Sequence, residues 1–323
     1  MGYPSPGFII SLDFELFWGV GDEATLSGYR KNVEGEWRAI PMLLALFRRY
    51  GVGATWATVG MVMCRDYKHW NDHRPTKLPS YVRQHCSTYS FGRVAREYPK
   101  LFFARPLVER ILETPQQELA SHTYSHFLCG EVGVTPEQFS ADLACAQAMA
   151  SDLGIQCQSL VFPRNQIRKE FLAKLPDAGF HAYRGNPDHW LYRGGHLTPG
   201  GIAGRAVRFA DAWLSLTGAH VAYSETVDGL FNMPASMFLR PWSRQLANLE
   251  PIRVARLKQS MTIAAREGGI FHLWWHPHNF GINIEQNFCI LESLLQHYCV
   301  LKDQYGMRSL TMNESRSLVA IPE

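Results

Sequence analysis

The chain has 323 residues, 46% of them hydrophobic and 19% charged, enough apolar material to bury a large core and too much for a disordered polypeptide. Its 32 Lys and Arg stand against 29 Asp and Glu, a formal net charge of +3. So slight and scattered an excess excludes the electrostatic footprint of a nucleic-acid-binding protein.

Residues 8–14 accumulate apolar bulk more than they alternate, which predicts a strand buried on both faces. A helix is expected over 35–50, with Ile40, Leu43, Leu44 and Phe47 on one stripe, Arg48 and Arg49 near its C-terminal end and Gly51 as its stop. The β-branched and aromatic run 54–60 then reads as a second strand, completing a βαβ unit. The rhythm continues with a helix at 106–113, a strand at 117–121, a helix at 135–153 capped by Thr135, and a strand at 159–162 before Pro163. A helix at 166–178, a strand at 180–183, a helix at 251–267, a strand at 270–275, a helix at 284–304 and a strand at 309–312 complete the chain. Strands and helices in alternation, with about seven strands, predict an α/β fold: a distorted (β/α) barrel of parallel strands, formed as a single domain over 1–323. Two stretches, 64–105 and 184–250, break the rhythm and are expected to be long functional excursions.

The seven Cys form no C-x-x-C pair, are odd in number and sit in largely apolar surroundings, as reduced thiols of an intracellular protein do. Met1 leads into the first strand with no basic region, long apolar segment or cleavage site, so no signal peptide is expected. No window approaches the roughly 18 apolar residues of a membrane span. The expected location is the cytoplasm, with the inner face of the membrane as the alternative.

The densest chemistry lies in Ser121-His122-Thr123-Tyr124-Ser125-His126, where two imidazoles stand four apart as a strand gives way to a loop. His69/His73 and His272/His276 share that spacing, so position decides between them. The first strand ends in Asp13-Phe14-Glu15, whose two acids, two residues apart, share one face of a strand. Two imidazoles and a carboxylate form the donor set of a catalytic zinc site with one position open to water; cobalt or nickel fits as well.

These pieces, in this order, resemble the polysaccharide deacetylases of carbohydrate esterase family 4: SLDFE, GATWATVG, ELASHTYSH, FPRNQ and LWWH, spread over roughly residues 8–315. The resemblance implies a metal held by His122, His126 and one of the two N-terminal acids. Glu15 is assigned as the ligand and Asp13 as the general base, with the exchange of roles open. His276 is the implied proton donor, with His278 next in line, and Arg164 the arginine that steadies the base. Among the aromatic residues Trp18, four residues from the acids, is expected as a wall of the substrate pocket.

The implied activity is metal-dependent removal of an N-acyl group, acetyl or formyl, from an amino sugar, nucleotide-linked or lipid-linked, in the making of a surface polysaccharide. An amidohydrolase acting on a small cyclic or linear amide is the alternative within enzymes. A non-catalytic carbohydrate-binding protein would need a broken acid or ligand, and none is evident.

Overall fold

The computed structural model describes residues 5–193 and 201–318, so part of the 184–250 stretch lies outside the described residues. β1 (Gly7–Phe14) is followed by α1 (Leu26–Tyr50), β2 (Ala54–Thr58), the short helices α2 (Tyr67–Asp72) and α3 (Gly92–Glu97), then α4 (Arg105–Leu112) and β3 (Gln117–Ser121). Next come α5 (Pro136–Ser151), β4 (Ser159–Leu160), α6 (Lys169–Leu172) and β5 (Ala182–Tyr183). The last third holds α7 (Gly201–Leu214), β6 (Glu225–Val227), β7 (Leu230–Asn232), β8 (Met237–Phe238), α8 (Glu250–Glu267), β9 (Ile270–Trp275), α9 (Ile284–Tyr305) and β10 (Arg308–Leu310).

The strands lie in the order β6-β7-β5-β4-β3-β2-β1-β9-β8, with β10 also on β1, and the ladders are parallel except that of β6 with β7. Both ends of that path meet in one segment. Met233 N donates to Tyr183 O and Ala235 N to Gly185 O on the β5 side, while Ser236 N donates to His272 O and Leu239 N to Trp274 O on the β9 side. The sheet thereby closes into the distorted α/β barrel expected. It has ten strands where about seven were expected, because β7 and β8 share one position in the ring and β6 and β10 are three-residue additions.

β1 explains the closure. All eight of its residues are buried, and alternation sorts them. Phe8, Ile10, Leu12 and Phe14 join the outer core with Ile40 and Leu43 of α1, Leu257 of α8 and Leu294 of α9. Ile9 faces the interior with Ala57, Ala182, Phe231 and Met233. Each such side chain contributes about 1.5–3 kcal/mol by leaving water. Above Ile9, the inward positions are Ser11 and Asp13, so the apolar plug ends where polar chemistry begins.

Three expectations change. The first helix begins at Leu26 and not at 35, because the Thr25 side chain caps it by accepting from Gly28 N at 3.2 Å, ahead of turns too polar to show an apolar stripe. The helix expected over 166–178 is reduced to α6 and a single turn at Pro176–Ala178, the turn opened by a proline that cannot donate to a continuing helix. The 184–250 stretch is more than an excursion, since it supplies the segment that closes the barrel.

Candidate metal centre and active site

The strand ends bring Glu15, His122 and His126 together: one donor atom from each lies within 4.8 Å of the others, and all three residues are buried. Glu15 Oε2 is 3.5 Å from His122 Nε2 and 3.3 Å from His126 Nε2. Two bonds of about 2.0–2.1 Å meeting near the tetrahedral angle place their donor atoms about 3.4 Å apart, whereas an N–H···O hydrogen bond brings them to about 2.7–3.2 Å. The three residues therefore fit a shared divalent cation. The His122 Nδ1–H donates to Val161 O at 2.8 Å, which leaves Nε2 as the lone-pair nitrogen facing Glu15. Burial lowers the His126 pKa despite Glu15 beside it, and a neutral imidazole is the form that binds metal.

The loop carrying the two imidazoles is held on all sides. The Asp142 carboxylate accepts from Tyr124 N at 2.6 Å, from Ser125 N at 3.1 Å and from the Ser125 hydroxyl, and Gly60 N and Met61 N donate to Thr123 O and Tyr124 O. Thr123, His126 and Leu16 adopt φ of 62°, 53° and 48°, conformations that cost non-glycine residues energy and persist where the surroundings impose them. Gly19 has a separate task. A Cβ there would stand 2.1 Å from the Glu15 carboxyl carbon, so only glycine leaves room for the carboxylate.

Asp13 sits one strand pitch away, and its partner is not Arg164. Arg184, at the end of β5, grips it with two bonds of 2.7 Å, donates at 3.0 Å to Ser11 Oγ and to Asn165 Oδ1, and stacks its guanidinium 4.4 Å above the Trp274 ring. Arg164 turns outward to Asp22 and Glu23, because its own backbone and that of Asn165 take the left-handed region, at φ 56° and 52°. Burial alone would raise the Asp13 pKa; the Arg184 fork and the nearby His122 and His276 outweigh it and hold the carboxyl below its ordinary value. Glu15 is likewise pushed up by burial and drawn well down by His276, His122 and His126.

His276 leaves the end of β9 with Nε2 3.8 Å from Asp13 Oδ2 and 3.7 Å from Glu15 Oε1, its side chain 24% exposed. His278 is nearby, with Nδ1 3.9 Å from Glu15, but it is buried against α1. Gly35 and Gly281 permit that approach: a Cβ on Gly35 would stand 2.0 Å from Gly281 O. Burial, with His276 adding to it, lowers the His278 pKa to about 3. Below His276 on the same face of β9, His272 lies 2.8 Å from Ser11 Oγ, and its pKa is also lowered to about 3, chiefly by burial.

Trp18 is not a pocket wall. It is 1% exposed, donates its indole N–H to Phe102 O at 2.7 Å and packs on Trp70, Phe102 and Phe103. A side chain on the single turn after β1 is directed outward into the helix layer. Trp274, by contrast, lines a cavity of about 550 Å³ together with Phe238 and His276. Sequence reasoning missed Arg184, Asn165 and Asp142. Arg184 had a findable signal, since it directly follows a strand, as His122 and His276 do.

No family model matches the chain, and no curated protein matches it. Solved structures do. The "putative polysaccharide deacetylase" of Mycobacterium smegmatis is 13% identical, with a TM-score of 0.62 over 100% of this chain and 96% of the other. PuuE allantoinase is 11% identical, with a TM-score of 0.56 over 97% and 88%. The α-amylase AmyC of Thermotoga maritima is 10% identical, with a TM-score of 0.57 over 99% and 76%. A fold shared by proteins so differently named does not choose the reaction; the site must. At these identities the likeness is one of fold, and the chain adopts the polysaccharide-deacetylase fold that the order of its motifs implied.

Proposed function

We propose that this protein is a metal-dependent hydrolase that removes an acetyl or formyl group from the nitrogen of an amino sugar. The observation that carries the proposal is the convergence of Glu15, His122 and His126 at cation-binding spacing, with Asp13 and His276 at the same ends of the barrel. The three would hold zinc, or cobalt or nickel in its place. When bound, such a cation supplies Lewis acidity, polarising an acyl carbonyl and lowering the pKa of water.

The protein's own groups supply the rest. Asp13, kept ionised by Arg184, accepts the proton of the attacking water. His276 faces both carboxylates from the open side of the site and donates a proton to the departing amine nitrogen. His278, buried and drawn towards a low pKa, is poorly placed to carry that proton. The bond broken joins the acyl carbon to nitrogen; water gives its oxygen to the acid and a proton to the amine. Phe238 and Trp274 offer apolar faces beside His276 for a sugar ring. A cavity of about 550 Å³ favours an amino sugar over a small cyclic or linear amide.

The finer part of the proposal is that the sugar is an activated precursor of a surface polysaccharide, nucleotide-linked or lipid-linked, handled in the cytoplasm. None of the described helices is long and apolar enough to cross a membrane. The test is amine release across acylated amino sugars, free, nucleotide-linked and lipid-linked. Release that chelation stops and zinc restores is expected; release unaffected by chelation overturns the mechanism.

A further inference from the structure

We propose that the cavity beside His276 is an oxyanion subsite that receives a phosphoryl group of the substrate, so that the acylated amino sugar arrives as a phosphate or diphosphate ester. The inference rests on the amino-sugar reading above and specifies its substrate class. The cavity joins the site through two residues: His276, and Asn165, which accepts from the arginine that holds Asp13.

Four guanidiniums line it, those of Arg208, Arg240, Arg253 and Arg256. Two are held by acids. Arg253 pairs with Glu250, and Arg256 Nη2 lies 3.1 Å from Asp211 Oδ2. Asp211 has little capacity left, because its oxygens also accept from the Tyr192 hydroxyl at 2.7 Å, Thr217 N at 2.9 Å and Thr217 Oγ1 at 2.8 Å. Arg208 and Arg240 have no carboxylate partner among the described residues. Arg240 lies 5.2 Å from the Phe209 ring centre and 5.9 Å from that of Phe238, and donates only at 3.4 Å to the Arg208 carbonyl. Arg208 Nη1, Arg253 Nη1 and Arg256 Nε are buried N–H groups that find no acceptor among the described residues.

Unpaired cations and unsatisfied donors in a sheltered cavity are costly unless something completes them. Guanidinium forks match phosphoryl oxygens in pairs. A carboxylate brings a single negative charge to Arg208 and Arg240, whereas a phosphoryl group brings up to two charges on three oxygens and a diphosphate spreads them over more. The cavity's shared wall with His276 sets that anion next to the scissile amide.

Two measurements test this. The first compares kcat/KM for one acylated amino sugar, its 1-phosphate, its nucleoside diphosphate ester and its short-prenyl diphosphate ester. The native protein is expected to favour the phosphorylated forms at least tenfold, through KM, and the ratio is expected to collapse in Arg208→Gln and Arg240→Gln and recover in part in Arg240→Lys. The order among the three esters identifies the source of the phosphate. No preference in the native protein, or an equal loss on all four substrates in the variants, overturns the proposal. The second measurement is calorimetric binding of inorganic pyrophosphate to protein freed of metal by chelation. Binding that weakens at least tenfold in the Arg208→Gln/Arg240→Gln double variant is expected. Equal binding by native and variant, or none by either, overturns the subsite whatever the activity. Arginine-dependent binding without amine release from any sugar would leave the subsite standing and remove the deacylase reading.

Discussion

On the wall built by β1, β3 and β5, the charged groups find their partners inside the protein: Arg184 closes on Asp13, Glu15 on His122 and His126, and Asp142 on the loop between them. On the cavity wall built by α7, β8 and α8, four guanidiniums stand beside only two carboxylates among the described residues, those of Glu250 and Asp211. The first wall is organised before any substrate arrives, as a reaction centre requires. The second is incomplete alone, as a recognition surface is.

Variants can break this contrast. The largest effect is expected for Asp13→Asn: kcat should fall by about 10²–10⁴-fold, the usual worth of a positioned base, while bound metal is retained. Undiminished kcat would show that Asp13 is not the base. Next, Arg184→Gln leaves a buried carboxylate without its fork. Stability should fall by about 3–5 kcal/mol, and the acid limb of the pH–rate profile should move to higher pH as the Asp13 pKa rises. Arg164→Gln, whose partners are Asp22 and Glu23, should leave that limb in place; a shift there instead would return Arg164 to the base.

A smaller effect is expected for Trp18→Phe, which strands the Phe102 carbonyl. Urea unfolding should register about 1–3 kcal/mol with KM unchanged, and a changed KM would put Trp18 back in the pocket. The mildest effect concerns pH. His272 and His278 have folded pKa values lowered to about 3, below the unfolded value of about 6.5. The unfolded chain thus binds more protons between these limits, and stability is lost as pH falls from about 6.5 towards 3. Between about pH 6.5 and 4 the native chain should lose melting temperature relative to a His272→Gln variant; parallel curves would contradict a neutral buried imidazole at 272.

The legible and illegible parts of the chain follow the same division. β1, β2, β3 and β9 are five to eight residues long, enough to show an apolar run, so the acids and imidazoles at their ends could be placed. β6, β7 and β8 are three, three and two residues long and carry no period, so their segment reads as an excursion; Arg184, the residue directly after the expected strand 180–183, counts as the start of that excursion. FPRNQ offered an arginine at the right point in the order, but the left-handed turn that aims it at Asp22 has no mark in residue type. Trp18 was near the acids in sequence and on the opposite side of the sheet in space. The arginine wall draws on residues 208, 240, 253 and 256, too far apart for any local pattern to join.

The central claim is that Glu15, His122 and His126 hold one divalent cation. Equilibrium titration of chelated protein with zinc tests it directly, in the native chain and in His126→Ala. One ion per native chain, with binding lost in the variant and restored activity tracking occupancy, is the predicted result. A native chain that binds no ion, or a His126→Ala chain that binds as the native does, would contradict it.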